Sequence, residues 1–69
     1  MIGWNPSYNW TYDAFMNVMH TSFVVEKRES VYLDVEHSDR KNMDDIIRWA
    51  KEMGYHAEEK NMDIIKVWK

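Results

Sequence analysis

Between Asn42 and Met53 apolar side chains recur at alternating intervals of three and four: Met43, Ile46, Ile47, Ala50 and Met53, with Trp49 at the margin. That spacing predicts an amphipathic helix with one face to cover. Asn42 stands where its side chain would accept from the amide of Asp44 or Asp45, and both carboxylates would then lie in a first turn whose dipole favours negative charge. Gly54 followed by Tyr55 predicts a left-handed stop, with the aromatic ring folded back on the last turn. An earlier stretch has the same period. Trp10, Ala14, Phe15, Val18 and Met19 share a face opposite Asp13 and Asn17, and Ser7, Asn9 or Thr11 can cap it, so a first helix is expected as far as His20 or Thr21.

Elsewhere the period is two. Val31, Leu33 and Val35 alternate with Tyr32, Asp34 and Glu36, the signature of a strand with one wet side, and a polar connection from His37 to Lys41 follows. The β-branched and aromatic run Phe23, Val24, Val25, closed by Lys27, Arg28 and Glu29, predicts a preceding strand and turn. The chain ends with a strand over His56 to Glu58, a turn around Lys60 and Asn61, and a strand from Met62 to Trp68. In that last strand Ile65 and Val67 oppose Ile64, Lys66 and Trp68. Met1 to Trp4 reads as a short edge strand before a turn at Pro6. The predicted fold is a single domain over residues 1–69, an α+β two-layer sandwich with both helices on one face of a four-stranded, largely antiparallel sheet. A shift of thirty-one residues sets Phe15, Val18 and Met19 against Ile46, Trp49 and Ala50, so each half reads helix, strand, strand, the pattern an internal duplication would leave.

Composition narrows the chemistry. A 69-residue chain buries only about 60% of its unfolded surface, close to the lower limit for folding without staples. There is no cysteine, which removes disulfides, thiolate metal sites and cysteine nucleophiles. Four Trp, four Tyr, two Phe and six Met supply large contact areas from few residues, and any surplus over the core is contact material for another protein. A net charge of −3 runs against phosphate-backbone binding, so no direct nucleic-acid partner is expected. No apolar run approaches a membrane span and the first ten residues lack the layout of a signal peptide, so a cytoplasmic protein is expected, in the host cytoplasm if viral.

The segment Val31 to Lys69 resembles the second half of the TusA/SirA-like sulfur-carrier family. It has a strand at Val31 to Val35, an acidic connection from Glu36 to Asp39, a helix containing Trp49-Ala50-Lys51, a Gly54-Tyr55-His56 ending and a terminal hairpin over Met62 to Lys69. The resemblance implies a scaffold of strands and helices like the one predicted. The family carries sulfur on a Cys-Pro-x-Pro motif at the start of its first helix. Here the nearest match is Asn5-Pro6-Ser7-Tyr8, with asparagine in place of the thiol. The resemblance therefore implies a carrier scaffold that cannot hold a persulfide, a Cys-less accessory of a sulfur-relay system.

Candidate sites are few. His20, His37 and His56, with Asp34 or Asp39, invite a metal reading but lack ligand spacing, and surface histidines account for them. Ser22, Ser30 and Ser38 come with no triad or oxyanion motif, so no enzyme and no cofactor is expected. Trp4, Tyr8, Trp10 and Tyr12 cluster near the amino terminus without interleaved lysines; core packing and an interface anchor both fit. Asp34, Glu36, Asp39, Asp44 and Asp45 gather between a strand and a helix start. They fit a solvated, capped region and equally an acidic rim that docks on a basic surface, with Tyr32 and Trp68 as anchors. The resulting expectation is a small non-enzymatic binding module, an inhibitor or regulator of a larger protein, a nucleic-acid-handling one included, as phage anti-defence inhibitors are. A homodimer through the terminal strand is a further expectation.

Overall fold

The computed structural model describes residues 9–69. In chain order these form α1 (Tyr12–Met19), a π-helical segment (His20–Val25), β1 (Ser30–Asp34), α2 (Arg40–Glu52), β2 (His56–Asn61) and β3 (Ile64–Trp68). The strands make one antiparallel sheet in the order β1-β3-β2. The α+β class stands, with both helical layers on one side of the sheet, but the described residues hold three strands where four were expected. The edge strand expected at Met1 to Trp4 lies outside the described residues.

The missing strand is Phe23 to Val25, which continues the first helix as a π-helical turn. Phe15, Met19 and Phe23 stand four residues apart and all are buried in the core, so the helical period of the stripe outweighs the β preference of its valines. Val24 and Val25 stay exposed. The segment ends where the Arg28 amide donates to the Ser22 carbonyl at 2.8 Å and Lys27 takes a left-handed φ of 56°. Among the described residues the first half thus holds one strand, and the helix-strand-strand echo between halves is not kept.

Thr11 caps α1, accepting from the Ala14 amide at 3.1 Å, so Trp10 precedes the helix instead of lying on its face. Helix α2 starts earlier than its periodicity implied. Asp39 is its N-cap, accepting from the Asn42 amide at 2.8 Å. Asp44 and Asp45 consequently fall in the second turn, and Arg40 and Lys41 occupy the first, where the helix dipole disfavours them. Each is offset by an acid four residues on: Arg40 to Asp44 and Lys41 to Asp45, both at 3.3 Å. The Asn42 side chain caps nothing in its own helix. Its Oδ1 accepts from the Trp10 amide at 2.8 Å and its Nδ2 donates to the Trp10 carbonyl at 2.9 Å. The stop is as expected: Tyr55 N–H to Ala50 at 2.9 Å and Gly54 N–H to Lys51 at 3.0 Å make a Schellman pair around Gly54 at φ 90°.

Strand register sorts the two faces. Val31, Val67 and Ala57 form one inward row and Leu33, Ile65 and Glu59 another. Leu33, Ile65 and Val67 are buried against Phe15, Met19, Phe23, Met43, Ile46 and Ala50. The closing turn sits at Met62 and Asp63, two residues later than expected, because a bulge between Glu59 and Asn61 inserts Lys60. The Asn61 side chain accepts from the Asp63 amide at 2.7 Å and fixes that turn. β3 is the central strand, so it cannot pair with a second copy as the terminal-strand homodimer required.

A Cβ added at Gly54 would meet nothing within 4 Å, so substitution there tests conformation alone. Gly54→Ala is expected to lower stability by about 1–2 kcal/mol in urea unfolding, with Gly54→Asn milder. Lys27→Gly, which relieves the left-handed lysine, is expected to raise it by roughly 0.5–1 kcal/mol.

Candidate interaction surface

The face of the sheet turned away from the helices carries three cross-strand rows: Ser30, Trp68 and His56; Tyr32, Lys66 and Glu58; Asp34, Ile64 and Asn61. Tyr32 is 59% exposed, and Trp68, Lys66 and Ile64 are half-buried. Strand alternation forces this arrangement. Once Leu33, Ile65 and Val67 face the core, their neighbours must face out. The His56 imidazole stacks on the Trp68 indole with ring centres 5.5 Å apart. The Lys66 ammonium stands 5.4 Å from the Trp68 ring centre and 5.9 Å from that of Tyr32.

The edges of this sheet are partly closed. The Val35 amide bonds the Asp63 carbonyl at 2.7 Å and that of Lys69 bonds Glu29 at 3.3 Å, so by alternation Ser30, Tyr32 and Asp34 turn their backbone groups to the outer edge of β1. At Asp34 that edge is capped: the Trp10 indole N–H donates to its carbonyl at 2.9 Å. On the other side β2 is charged and bulged, and Glu59 pairs with Arg40 at 2.8 Å. Both are devices that discourage strand addition.

The five acids fall into two groups. Asp34 and Glu36 lie at the end of β1, where the Asp34 carboxylate accepts from the Glu36 amide at 3.0 Å. The Glu36 carboxylate stands 4.0 Å from the His37 imidazole. Among the described residues no lysine or arginine pairs with either acid. Asp39, Asp44 and Asp45 belong to α2, and all three have internal partners. Asp39 caps the helix and also accepts from the Asn9 amide group at 3.1 Å, while its own backbone N–H donates to the Asn9 carbonyl oxygen of the side chain at 3.0 Å. Asp44 pairs with Arg40, and Asp45, mostly buried, pairs with Lys41 and with Arg48 at 3.0 Å.

Of the aromatics, Trp10 serves the edge of β1. Tyr12 and Phe15 pack on Trp49 at 5.3 and 5.7 Å, and Tyr55 packs on Phe23 at 4.5 Å. Tyr32 and Trp68 are left to the open face. Trp4 and Tyr8 lie outside the described residues. His20, His37 and His56 are all exposed and sit apart, on the π-helical segment, in the β1–α2 connection and on β2, and among the described residues no group of three His, Asp or Glu could hold a metal ion. Lys66 is the member of the surface that the sequence pattern did not single out. Its significance comes from the central position of β3, which brings Tyr32 alongside. No helix among the described residues is long and apolar enough to cross a membrane. No family model, curated protein or solved structure matches the chain.

The hydrogen bonds from the Asn42 amide and then Asn9 hold the Asp39 carboxyl below its usual pKa, with Lys41 adding to them and slight desolvation opposing. A folded-state pKa below the unfolded one gives stability that is present above the unfolded value and lost as pH falls through the folded value. Unfolding midpoints are therefore expected to drop on acidification below about pH 4. That drop should be smaller in Asp39→Asn, measured by thermal melts from pH 2 to 7.

Proposed function

We propose that this chain is a non-catalytic protein-binding module, an inhibitor or regulator that acts by occupying a surface of a larger protein through the open face of its sheet. The observation that carries the reading is the one-sided burial of the sheet: both helices pack on one face, and the other presents Tyr32, Trp68 and Ile64 to solvent. Tyr and Trp are the residues that most often anchor such contacts, because each brings a large rigid area with little entropy to lose. Asp34 and Glu36, which have no lysine or arginine partner among the described residues, form the effective part of an acidic rim and suit a basic area on the partner. Asp39, Asp44 and Asp45 extend that rim around the start of α2, their charge moderated by Arg40, Lys41 and Arg48. A phage inhibitor of a host nucleic-acid-handling protein is one form such a module takes.

A second reading, a Cys-less accessory of a sulfur-relay system, draws on the order of strand, Gly54-ended helix and hairpin over Ser30 to Trp68. It puts the contact around Asn5 and Pro6, outside the described residues, and makes it indifferent to the acidic cluster of Asp34, Glu36, Asp39, Asp44 and Asp45.

Affinity capture from lysate separates the two. Tyr32→Ala is expected to leave the unfolding midpoint nearly unchanged and to weaken retention of a specific partner by about thirty-fold, the loss of roughly 2 kcal/mol at an interface anchor. Asp34→Asn with Glu36→Gln is expected to reduce it further and to lessen its salt dependence. Undiminished retention by the combined variant would remove the open face from consideration and favour the amino-terminal segment.

A further inference from the structure

On the open face one cation stands apart. Arg28 pairs with Glu26, Arg40 with Asp44 and Glu59, Lys41 and Arg48 with Asp45, and Lys60 with Glu58. Lys27, Lys51 and Lys69 have no such partner among the described residues either, but they lie off this face, in the turn before β1, on α2 and over the Phe23 ring of the core. Lys66 has no carboxylate among the described residues, although Glu58 is its register partner on β2. Glu58 turns along its own strand to Lys60 at 3.5 Å, and the Lys66 ammonium lies over the Tyr32 and Trp68 rings. Two rings hold a lysine by their negative faces and exclude water from its flanks, but they accept no conventional hydrogen bond from its ammonium donors. The side chain stands on the central strand, half-buried, with no carboxylate acceptor for its ammonium donors among the described residues.

We propose that Lys66 is the recognition point of this surface and that it takes a single carboxylate, an Asp or Glu side chain of the partner protein, whose apolar neighbours lie on the Tyr32 and Trp68 rings. The proposal rests on the protein-binding reading and specifies the chemistry of its partner. Charge selects this occupant. One lysine suits one carboxylate, whereas a nucleic-acid strand needs a track of several cations along its phosphates. Here Glu58 stands across from the lysine on β2, and Asp34 and Glu36 lie at the end of β1; these acids disfavour a polyanion. The same acids suit basic residues placed around the partner's central acid, so the complementary surface is a negative point within a positive ring.

The test uses defined probes and the whole chain. Backbone amide shifts and the Trp68 indole signal are followed by NMR while adding terminally blocked Leu-Glu-Leu, its isosteric Leu-Gln-Leu counterpart, Leu-Lys-Leu, or an eight-residue oligothymidylate. The expected result is shift changes centred on Tyr32, Lys66 and Trp68 with the glutamate peptide, at least five-fold weaker binding of the glutamine peptide, and loss of that preference in Lys66→Gln with recovery in Lys66→Arg. Equal binding of Glu and Gln peptides, preference for the lysine peptide, tighter binding of the oligonucleotide or no shifts at this face would each overturn the proposal. Capture from lysate with Lys66→Gln separates the two levels. A partner retained by Lys66→Gln but lost by Tyr32→Ala would leave the protein-binding module standing and remove the carboxylate.

Discussion

The side-chain amide of Asn42 binds both the N–H and the carbonyl of Trp10, at 2.8 and 2.9 Å, and the rest of the structure hangs from that clamp. Asn42 is only 5% exposed, and the amide stands in for a strand partner, satisfying a backbone unit that has no ladder to join. Asn9 and Asp39 make a second reciprocal pair beside it, and the Trp10 indole reaches the end of β1. The entry to α1, the end of β1 and the start of α2 are thereby tied at one point, across sequence separations of 24 to 32 residues. Removing the Asn42 amide would leave two backbone groups without partners, a loss of about 1–3 kcal/mol for each that stays buried. In a domain this small that is a large share of the total stability.

This tie has consequences for the surface. Among the described residues the two helices cover one face of the three-stranded sheet and leave the other open. Trp10, drawn to the edge of β1 by the clamp, closes the place where another strand would add, and the bulge and charges of β2 blunt the other edge. The large aromatics of the described residues divide accordingly. Trp10, Phe15, Phe23, Trp49 and Tyr55 pack within or against the core, Tyr12 leans on Trp49 from the exposed side of α1, and Tyr32 and Trp68 remain on the open face with Lys66 between them. A contact surface made by what the core leaves over needs no pocket and no reactive group.

Much of this was legible where the information is local. The period of Met43 to Met53, the Gly54-Tyr55 stop and the alternation of Val31 to Val35 each belong to one element, and each holds in the structure. The same alternation put Tyr32 on the wet side. What escaped depends on distant partners or on competing signals. Asn42 was available as a cap, and only Trp10, far away in sequence, explains why Asp39 takes that place. Phe23 to Val25 carried both a strand-like composition and the helical spacing from Phe15 through Met19, and burial of Phe23 decided for the helix. Lys66 looked like an ordinary solvated lysine until the strand order placed it between Tyr32 and Trp68. The five acids also divide in three dimensions, because helix geometry gives three of them partners in a capping network and among basic neighbours one turn away.

Native-state hydrogen exchange of the Trp10 amide tests the clamp most directly. That amide has no place in a helix or strand, so its protection reports the bond to Asn42. Exchange as slow as that of Ile65 and Val67 in the central strand is expected, with protection lost first at Trp10 in Asn42→Ala. Rapid exchange of Trp10 in the wild type while the β3 amides stay protected would contradict it, and would mean that the sheet and its open face are fixed by the core alone.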